Sequence, residues 1–363
     1  MVAGEESGDL HGAKLIYAIK KTSPSAEFVG HGGDKMKSAG MEILNHVNDL
    51  AMMGFTEVVK HLPYMIKVMG DTIKKIQEIK PHRLILIDYP GFNLRLAKKV
   101  RLLGLPITYF ILPQVWAWKE NRVNTIRKCV DQALCIFPFE QEWFEQRGVN
   151  ANFVGHPFTE FQKPSMDKHS FFSKHGLDEN EPLLVLFPGS RQQEADRHFP
   201  VFKKAVSLLN DNKIQIIIGK ASEVNLGTLP ENWKVETDDT SLCLEYGTAV
   251  LTSSGTASLQ SAVQDIPAVV CYKMSAGSWF LAKNLSHVPY AAMTNLIVGR
   301  QIVPEFLQEE MTPKNLASAV KTLLKQTAER KEMLQGYEEV RRTLGLPGVY
   351  ERTAEAILNR MMV

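Results

Sequence analysis

Cysteine is scarce in this chain: four residues in 363, Cys129, Cys135, Cys243 and Cys271, with no CxxC pair. That excludes a disulfide framework and a thiolate zinc site, and reads as reduced, mostly buried thiols. No apolar run reaches the roughly 20 residues that span a bilayer, which argues against a transmembrane protein. Charge of one sign is not in excess either. Lys plus Arg is 42 against 40 for Asp plus Glu, a formal balance of +2, so there is no electrostatic ground for a nucleic-acid partner. The acidic, polar opening MVAGEESGDLHG is no secretory signal. No GxGxxG and no HExxH occur, which weakens a nicotinamide reading and leaves no metal site. Neither a short-period repeat nor a low-complexity tract is present.

What is present is ordinary globular composition, 44% hydrophobic and 23% charged, at a length that suits two domains. Strands are predicted at 27–30, 83–88, 106–112, 132–137, 151–155, 183–187, 213–218, 249–252 and 267–272. Several are apolar at successive positions, as strands covered on both faces are. Helices are predicted at 9–21, 93–103, 140–147, 195–210, 256–264, 313–326 and 349–361. The alternation implies an α/β fold of two doubly wound, Rossmann-like domains facing across a cleft. The polar, proline-punctuated stretch 157–180 holds the boundary. Only Met1 and Val2 precede the turn AGEESGD, so the first strand is expected to be stunted, or the start codon assigned too late.

Six segments carry candidate chemistry. Gly4–Gly12 places Glu5, Glu6, Ser7 and Asp9 between a strand end and a helix start. Ser7 or Asp9 suits a helix cap, while the carboxylates suit sugar hydroxyls better than a pyrophosphate. Asp88 ends the strand RLILID; it reads as a general base in a cleft or as a cap for the helix from Asn93. LPQVWAW (112–118) is either core or the wall of an acyl or sugar site. FPGSR (187–191) and SSGT (253–256) each follow a strand. With Gly189 allowing close approach and Arg191 offering a fork of donors, they make a plausible diphosphate cradle. Residues 50–80 form a helical stripe after a break at Pro63. Met65 and Met69 lie on that stripe, and Met52, Met53, Phe55, Tyr64 and Val68 are apolar beyond it. Rimmed by lysines, this surface fits either an anionic lipid contact through Met52, Met53, Phe55, Tyr64, Met65 and Met69 or one amphipathic core helix. His156 in VGHP reads as a structural residue.

Taken in order, AGEESGD (3–9), DYPGFN (88–93), PQVWAW (113–118), FPFE (137–140), FVGHP (153–157), PGSRQQE (188–194), SSGTASL (253–259), NLIVGR (295–300) and PEFLQEE (304–310) closely resemble the lipid A disaccharide synthase family. The resemblance spans nearly the whole chain. It implies an inverting, metal-independent glycosyltransferase of the GT-B architecture, with no cofactor. Residues 1–160 would form an acceptor- and lipid-binding domain, 161–345 a UDP-sugar domain, and 346–363 a helix returning to the first. The implied reaction joins UDP-2,3-diacylglucosamine to 2,3-diacylglucosamine 1-phosphate (lipid X). It would occur at the cytoplasmic, inner face of a Gram-negative inner membrane, and the resemblance leaves a homo-oligomer open.

Carried over residue by residue, the resemblance makes Asp88 the base and Arg191 the group that stabilises departing UDP. Gly189, Ser190, Ser254, Gly255, Thr256 and Gln260 fall around the nucleotide. Glu5, Ser7, Asn295, Gln308 and Glu309 fall around the sugar and nucleotide. Three positions depart from the family pattern: Gln260 replaces a Glu, Gly91 an Asp and Thr294 a Pro. Two other readings stay open: a GT-B enzyme on a soluble UDP-N-acetylglucosamine substrate, epimerase or transferase, and a decayed nucleotide-binding paralogue.

Overall fold

The computed structural model describes residues 1–51, 58–160, 164–253, 255–275, 277, 279 and 288–361, with backbone alone for 51 and 58–62. The chain divides into two compact units. Unit 1 is Met1–Glu160 with Leu344–Val363, and unit 2 is Phe161–Thr343.

In unit 1, α1 (Glu6–Thr22) leads to β1 (Phe28–Gly32), α2 (Asp34–Ser38), β2 (Met41–His46), α3 (Val47–Ala51) and α4 (Val58–Ile79). Then come β3 (Leu84–Ile87), α5 (Pro90–Arg101), β4 (Ile107–Phe110), α6 (Val123–Cys129), β5 (Gln132–Cys135), α7 (Pro138–Glu145) and β6 (Ala151–Phe153). Two parallel sheets result, β1-β2 and β3-β4-β5-β6. Val2 joins them through parallel bridges to His31 and Leu86, so the first strand is reduced to a bridge. Every residue of β3, β4 and β5 is buried, because helices cover both faces. The C-terminal helix Val349–Asn359 packs on α1 in the same unit. Tyr350 Oη meets His11 Nδ1 at 2.8 Å, and Gln132 donates to the Ala356 carbonyl at 2.7 Å.

One expected break is absent. α4 runs through Pro63. Proline near a helix start removes only one intrahelical bond, so the apolar stripe that follows continues the same helix. On it Val68 and Met69 are buried, Met65 is half-buried, and Tyr64 (37%) and Ile66 (64%) are exposed.

Unit 2 runs α8 (Lys168–His175), β7 (Leu183–Phe187), α9 (Gln192–Leu209), β8 (Gln215–Gly219), β9 (Trp233–Glu236), α10 (Ser241–Tyr246), β10 (Ala249–Thr252) and α11 (Gly255–Val263). It continues with β11 (Ala268–Tyr272), α12 (Met293–Val298), β12 (Glu305–Leu307), α13 (Pro313–Leu323) and α14 (Ala328–Leu344). Its six strands make one parallel sheet in the order β12-β11-β10-β7-β8-β9. The switch between β7 and β10 puts the two turns that follow them side by side at the carboxyl edge, where open α/β sheets bind ligands. The four cysteines are buried and unpaired, and burial pushes the thiols of Cys135, Cys243 and Cys271 up.

Candidate active site

In unit 1, Asp88 leaves the buried strand β3 in the left-handed region (φ 43°), followed by Tyr89 (φ 50°). Two such residues in succession are costly for side chains with a Cβ. What holds the turn is on its carbonyl side: Tyr109 Oη and Asn93 Nδ2 both donate to the Asp88 carbonyl, at 2.6 and 2.8 Å. Asn93 is wholly buried and also reaches the Ile87 and Val2 carbonyls, at 3.3 Å each. Helix α5 begins at Pro90 with Tyr89 as its cap and without a side-chain cap. The Asp88 carboxylate is therefore not spent on the helix start, contrary to the capping alternative. It is half-buried, and its pKa is raised to about 6, first by desolvation and then by the Glu5 carboxylate, against an opposing bond from the Tyr89 N–H.

Glu5 stands close by because the AGEESGD turn packs on the Tyr89 ring. A Cβ at Gly4 would lie 2.3 Å from that ring. Glu5 is the N-cap of α1 and makes no side-chain cap, and Glu5, Glu6 and Ser7 are all exposed. Neither Ser7 nor Asp9 caps α1. Asp9 is buried instead, and its carboxylate accepts from the N–H groups of Gly33 (2.6 Å), Lys35 (3.1 Å) and Met36 (3.0 Å). It caps α2, fixing the turn against β1.

The two tryptophans of PQVWAW part company. Trp116 is buried and donates through Nε1 to Glu140 Oε1 at 2.8 Å, whereas Trp118 is 49% exposed. Glu140 is fully buried at the start of α7, and its other oxygen accepts from Phe137 N (3.1 Å) and Ile136 N (3.3 Å). Burial pushes its pKa up to about 7 despite those donors, and the Asp88 charge adds to the rise. Rings of Trp116, Phe139, Phe137, His156 and Phe158 follow in contact. His156 is buried, its pKa driven down to about 3, first by burial and then by His11, and its Nδ1 accepts from Phe158 N. It is a structural residue, as expected.

In the sequence Glu140 stands out only as the last residue of the run FPFE. Its position three residues after Phe137, opening a helix behind a proline, is the signal that marks it.

In unit 2, the β7 and β10 turns are tied together. Ser253 N and Oγ both donate to the Phe187 carbonyl, at 3.0 and 3.2 Å. Gly189 adopts φ 135°, and a Cβ there would meet Glu194 Cβ at 2.5 Å. Only glycine lets the loop lie down on the first turn of α9. Arg191 is the N-cap of α9, with a side chain 79% exposed and Nη1 3.8 Å from Glu194 Oε1. Glu194 also accepts from Ser190 N at 3.2 Å and from Tyr272 Oη at 3.2 Å. His198 closes the network beneath: Nδ1 lies 2.9 Å from the Pro188 carbonyl, and Nε2 accepts from Lys273 N at 3.0 Å. Burial holds this ring below its usual pKa. Gly255 and Thr256 open α11 next door, and Gln260 is half-buried one turn on.

Asn295, Gln308 and Glu309 lie in the same unit. The Asn295 amide is committed internally: Oδ1 accepts from Ile302 N (2.7 Å) and Val303 N (2.9 Å), and Nδ2 donates to Glu305 Oε1 (2.6 Å). Gln308 sits at φ 51° with Oε1 accepting from Met274 N at 2.9 Å, and Glu309 is exposed. Ser254, Met52, Met53 and Phe55 lie outside the described residues. A cavity of about 560 Å³ in unit 1 is lined by Val29, Ile79, Arg83 and Ile357. It opens at the amino end of β3, away from Asp88. Among the described residues no three His, Cys, Asp or Glu side chains converge as a metal site requires, and no helix is long and apolar enough to cross a membrane.

Comparison with known proteins agrees with this architecture. The chain is 12% identical to a UDP-GlcNAc 2-epimerase of Methanocaldococcus jannaschii solved with UDP-GlcNAc and UDP, with a TM-score of 0.65 over 98% of this chain and 97% of that one. It is 16% identical to the calicheamicin glycosyltransferase CalG4, TM-score 0.60, over 99% and 96%. At such identities the likeness is one of fold, the GT-B fold. Sequence similarity reaches further. A lipid-A-disaccharide synthase of Myxococcus xanthus is 36% identical over 369 residues, covering 99% of this chain and 96% of the relative. One of Gluconobacter oxydans is 37% identical over 334 residues, covering 89% and 80%. The model of the lipid-A-disaccharide synthetase family matches residues 1–358, and the chain accordingly belongs to that family of glycosyltransferases.

Proposed function

We propose that this glycosyltransferase transfers 2,3-diacylglucosamine from its UDP derivative to 2,3-diacylglucosamine 1-phosphate, with inversion. Unit 1 takes the acceptor and unit 2 the UDP-sugar, so each turnover needs both. The acceptor 6-hydroxyl attacks the anomeric carbon and its proton passes to the Asp88 carboxylate. The bond from that carbon to the β-phosphate oxygen breaks, and UDP leaves with the electron pair. The observation that carries this reading is Asp88 itself: half-buried, uncapped, clamped through its own carbonyl, and raised to a pKa of about 6. Near neutral pH it is ionised yet more basic than an ordinary carboxylate, which is what general-base catalysis asks for.

Charge on departing UDP falls to unit 2. Arg191 is exposed at the start of α9, and the first N–H groups of α11 adjoin it across the β7–β10 pair. Guanidinium forks and helix amino ends both favour diphosphate. Ser190 N and Arg191 both face the Glu194 carboxylate, so nucleotide binding exchanges a carboxylate for a phosphate there. Asn295 and Gln308 act by holding the segments that present Glu309 and the loop after β11. Gln260 accepts from ribose without the help of a charge.

Tyr64, Met65 and Ile66 on α4, with Met52, Met53 and Phe55, give the acyl chains and the inner face of a membrane an apolar contact on the acceptor unit. The deciding experiment is transfer from UDP-diacylglucosamine to lipid X, followed by mass spectrometry. The expected product is the β-1,6-linked disaccharide 1-phosphate, lost in Asp88→Asn and in Arg191→Ala. Turnover of UDP-N-acetylglucosamine instead would overturn the reading.

A further inference from the structure

After the buried Trp116 the chain turns outward. Lys119 takes a left-handed conformation (φ 57°) and caps the short turn Glu120–Arg122, with Arg122 N bonded to the Lys119 carbonyl at 3.0 Å. This brings two cations onto one indole: Lys119 Nζ lies 4.1 Å from the Trp118 ring centre and the Arg122 guanidinium carbon 5.8 Å. The turn's one carboxylate, Glu120, is taken by Arg147 at 2.7 Å, and that guanidinium is stacked on Trp143 at 3.8 Å. Among the described residues neither Lys119 nor Arg122 has a carboxylate in ion-pair reach. Desolvation, then Arg122, lowers the Lys119 pKa. Like charges gathered without a counter-charge are unfavourable unless an anion joins them.

Their position relative to Asp88 follows from the sheet. β3 and β4 are parallel neighbours, and Asp88 N donates to the Phe110 carbonyl at the end of β4 at 3.2 Å. The connection that carries Trp118, Lys119 and Arg122 therefore leaves the same sheet edge as Asp88, from the adjacent strand of one unit. We infer that Lys119 and Arg122, gathered beside Trp118, form the subsite for the phosphate monoester of the acceptor sugar. The inference rests on the reaction proposed above. In that acceptor C1, which bears the phosphate, and C5, which bears the attacking C6 hydroxyl, both flank the ring oxygen, so a phosphate site is needed one sugar ring away from Asp88. A phosphate monoester carries close to two charges at neutral pH, matched by two cations, and the exposed indole offers a face for the sugar ring.

The test is steady-state kinetics in neutral detergent with lipid X and with its dephosphorylated counterpart, on the wild type, Lys119→Ala/Arg122→Ala, Arg122→Lys and the control Arg127→Ala. Loss of two charge-assisted contacts is expected to raise the lipid X KM about 10–100-fold. The double variant should then treat both acceptors alike, with the donor KM unchanged. Arg122→Lys should recover part of the discrimination, and Arg127→Ala, one turn on, all of it. Unchanged discrimination in the double variant overturns the inference alone. So does a shift confined to the donor KM, which would make the cations a diphosphate contact. So does weaker sedimentation with phosphatidylglycerol vesicles at constant acceptor KM, which would make them a headgroup contact. Failure of the wild type to use either acceptor overturns the proposed reaction, and this subsite with it.

Discussion

Two consecutive left-handed residues, Asp88 and Tyr89, set most of what can be tested at the level of single side chains. With its pKa near 6, Asp88 works as a base only when ionised. The rate should therefore climb about tenfold per pH unit below that value and level off above it. Asp88→Asn should lower kcat by about 10²–10⁴-fold and abolish the acid limb. Glycines separate into those that are needed and those that are not. Gly4→Ala forces its Cβ into the Tyr89 ring, and a clash of that kind costs about 1–3 kcal/mol. Thermal unfolding should record the loss, and kcat should fall with it as Tyr89 shifts. At Gly91, in the first turn of α5, nothing lies within 4 Å of a Cβ. Gly91→Asp should fold at least as well, with a gain of about 0.3–1 kcal/mol from the helix dipole at most.

At the scale of elements, Glu140 makes a distinct prediction. Its carboxyl is raised from 4.5 to about 7 in the folded protein, so the native state holds this proton more tightly than the unfolded chain does. The stabilisation is complete below pH 4.5 and is lost as pH rises through 7, a change of about 3 kcal/mol. Urea midpoints at pH 5 and pH 8 should differ accordingly in the wild type, and that part of the difference should vanish in Glu140→Gln. Glu236, buried at the end of β9, titrates the other way. Desolvation would raise its pKa, but Lys174, the N–H groups of Asp239 and Asp238, and His175 together hold it at about 2. Its contribution is present above the ordinary carboxylate range and is lost as pH falls towards 2, so acid unfolding of unit 2 should begin at higher pH in Glu236→Gln.

The same scale shows what the sequence made legible. Strands buried on both faces, such as LLVLF at β7 and AVLT at β10, are legible because all their positions but Thr252 are apolar. The three strands not anticipated, β2 (MEILNH), β9 (WKVE) and β12 (EFL), all lie at sheet edges, and nearly all their residues are only partly buried. An edge has solvent on one side, so its residues need no apolar pattern. Helix α14 escaped for a related reason. Its buried residues, Met333, Tyr337, Val340 and Leu344, form a single narrow stripe among charges. Of the candidate site, the chain positions of Asp88, Gly189 and Arg191 could be read from strand ends and turn chemistry. The roles of Asp9, Glu140 and Glu194 could not, since each acts on backbone N–H groups that folding brings to it.

For the whole molecule, the C-terminal helix belongs to the structure of unit 1, through the Tyr350–His11 contact and the packing of Val349–Asn359 on α1. Ending the chain after Thr343 should lower the unfolding temperature of unit 1 while leaving unit 2 intact, visible as loss of hydrogen-exchange protection confined to α1 and its neighbours. Because unit 1 is built from both ends of the sequence and unit 2 from its middle, the order in which the ribosome delivers the pieces matters. The nascent first section waits, with the groove for its last helix open, while residues 161–343 are made and close on themselves. At about 5–20 residues per second that wait lasts on the order of ten seconds or more. The unit that bears Asp88 is therefore the last to be finished, and the face of α1 that receives Val349–Asn359 stays uncovered until the end of synthesis.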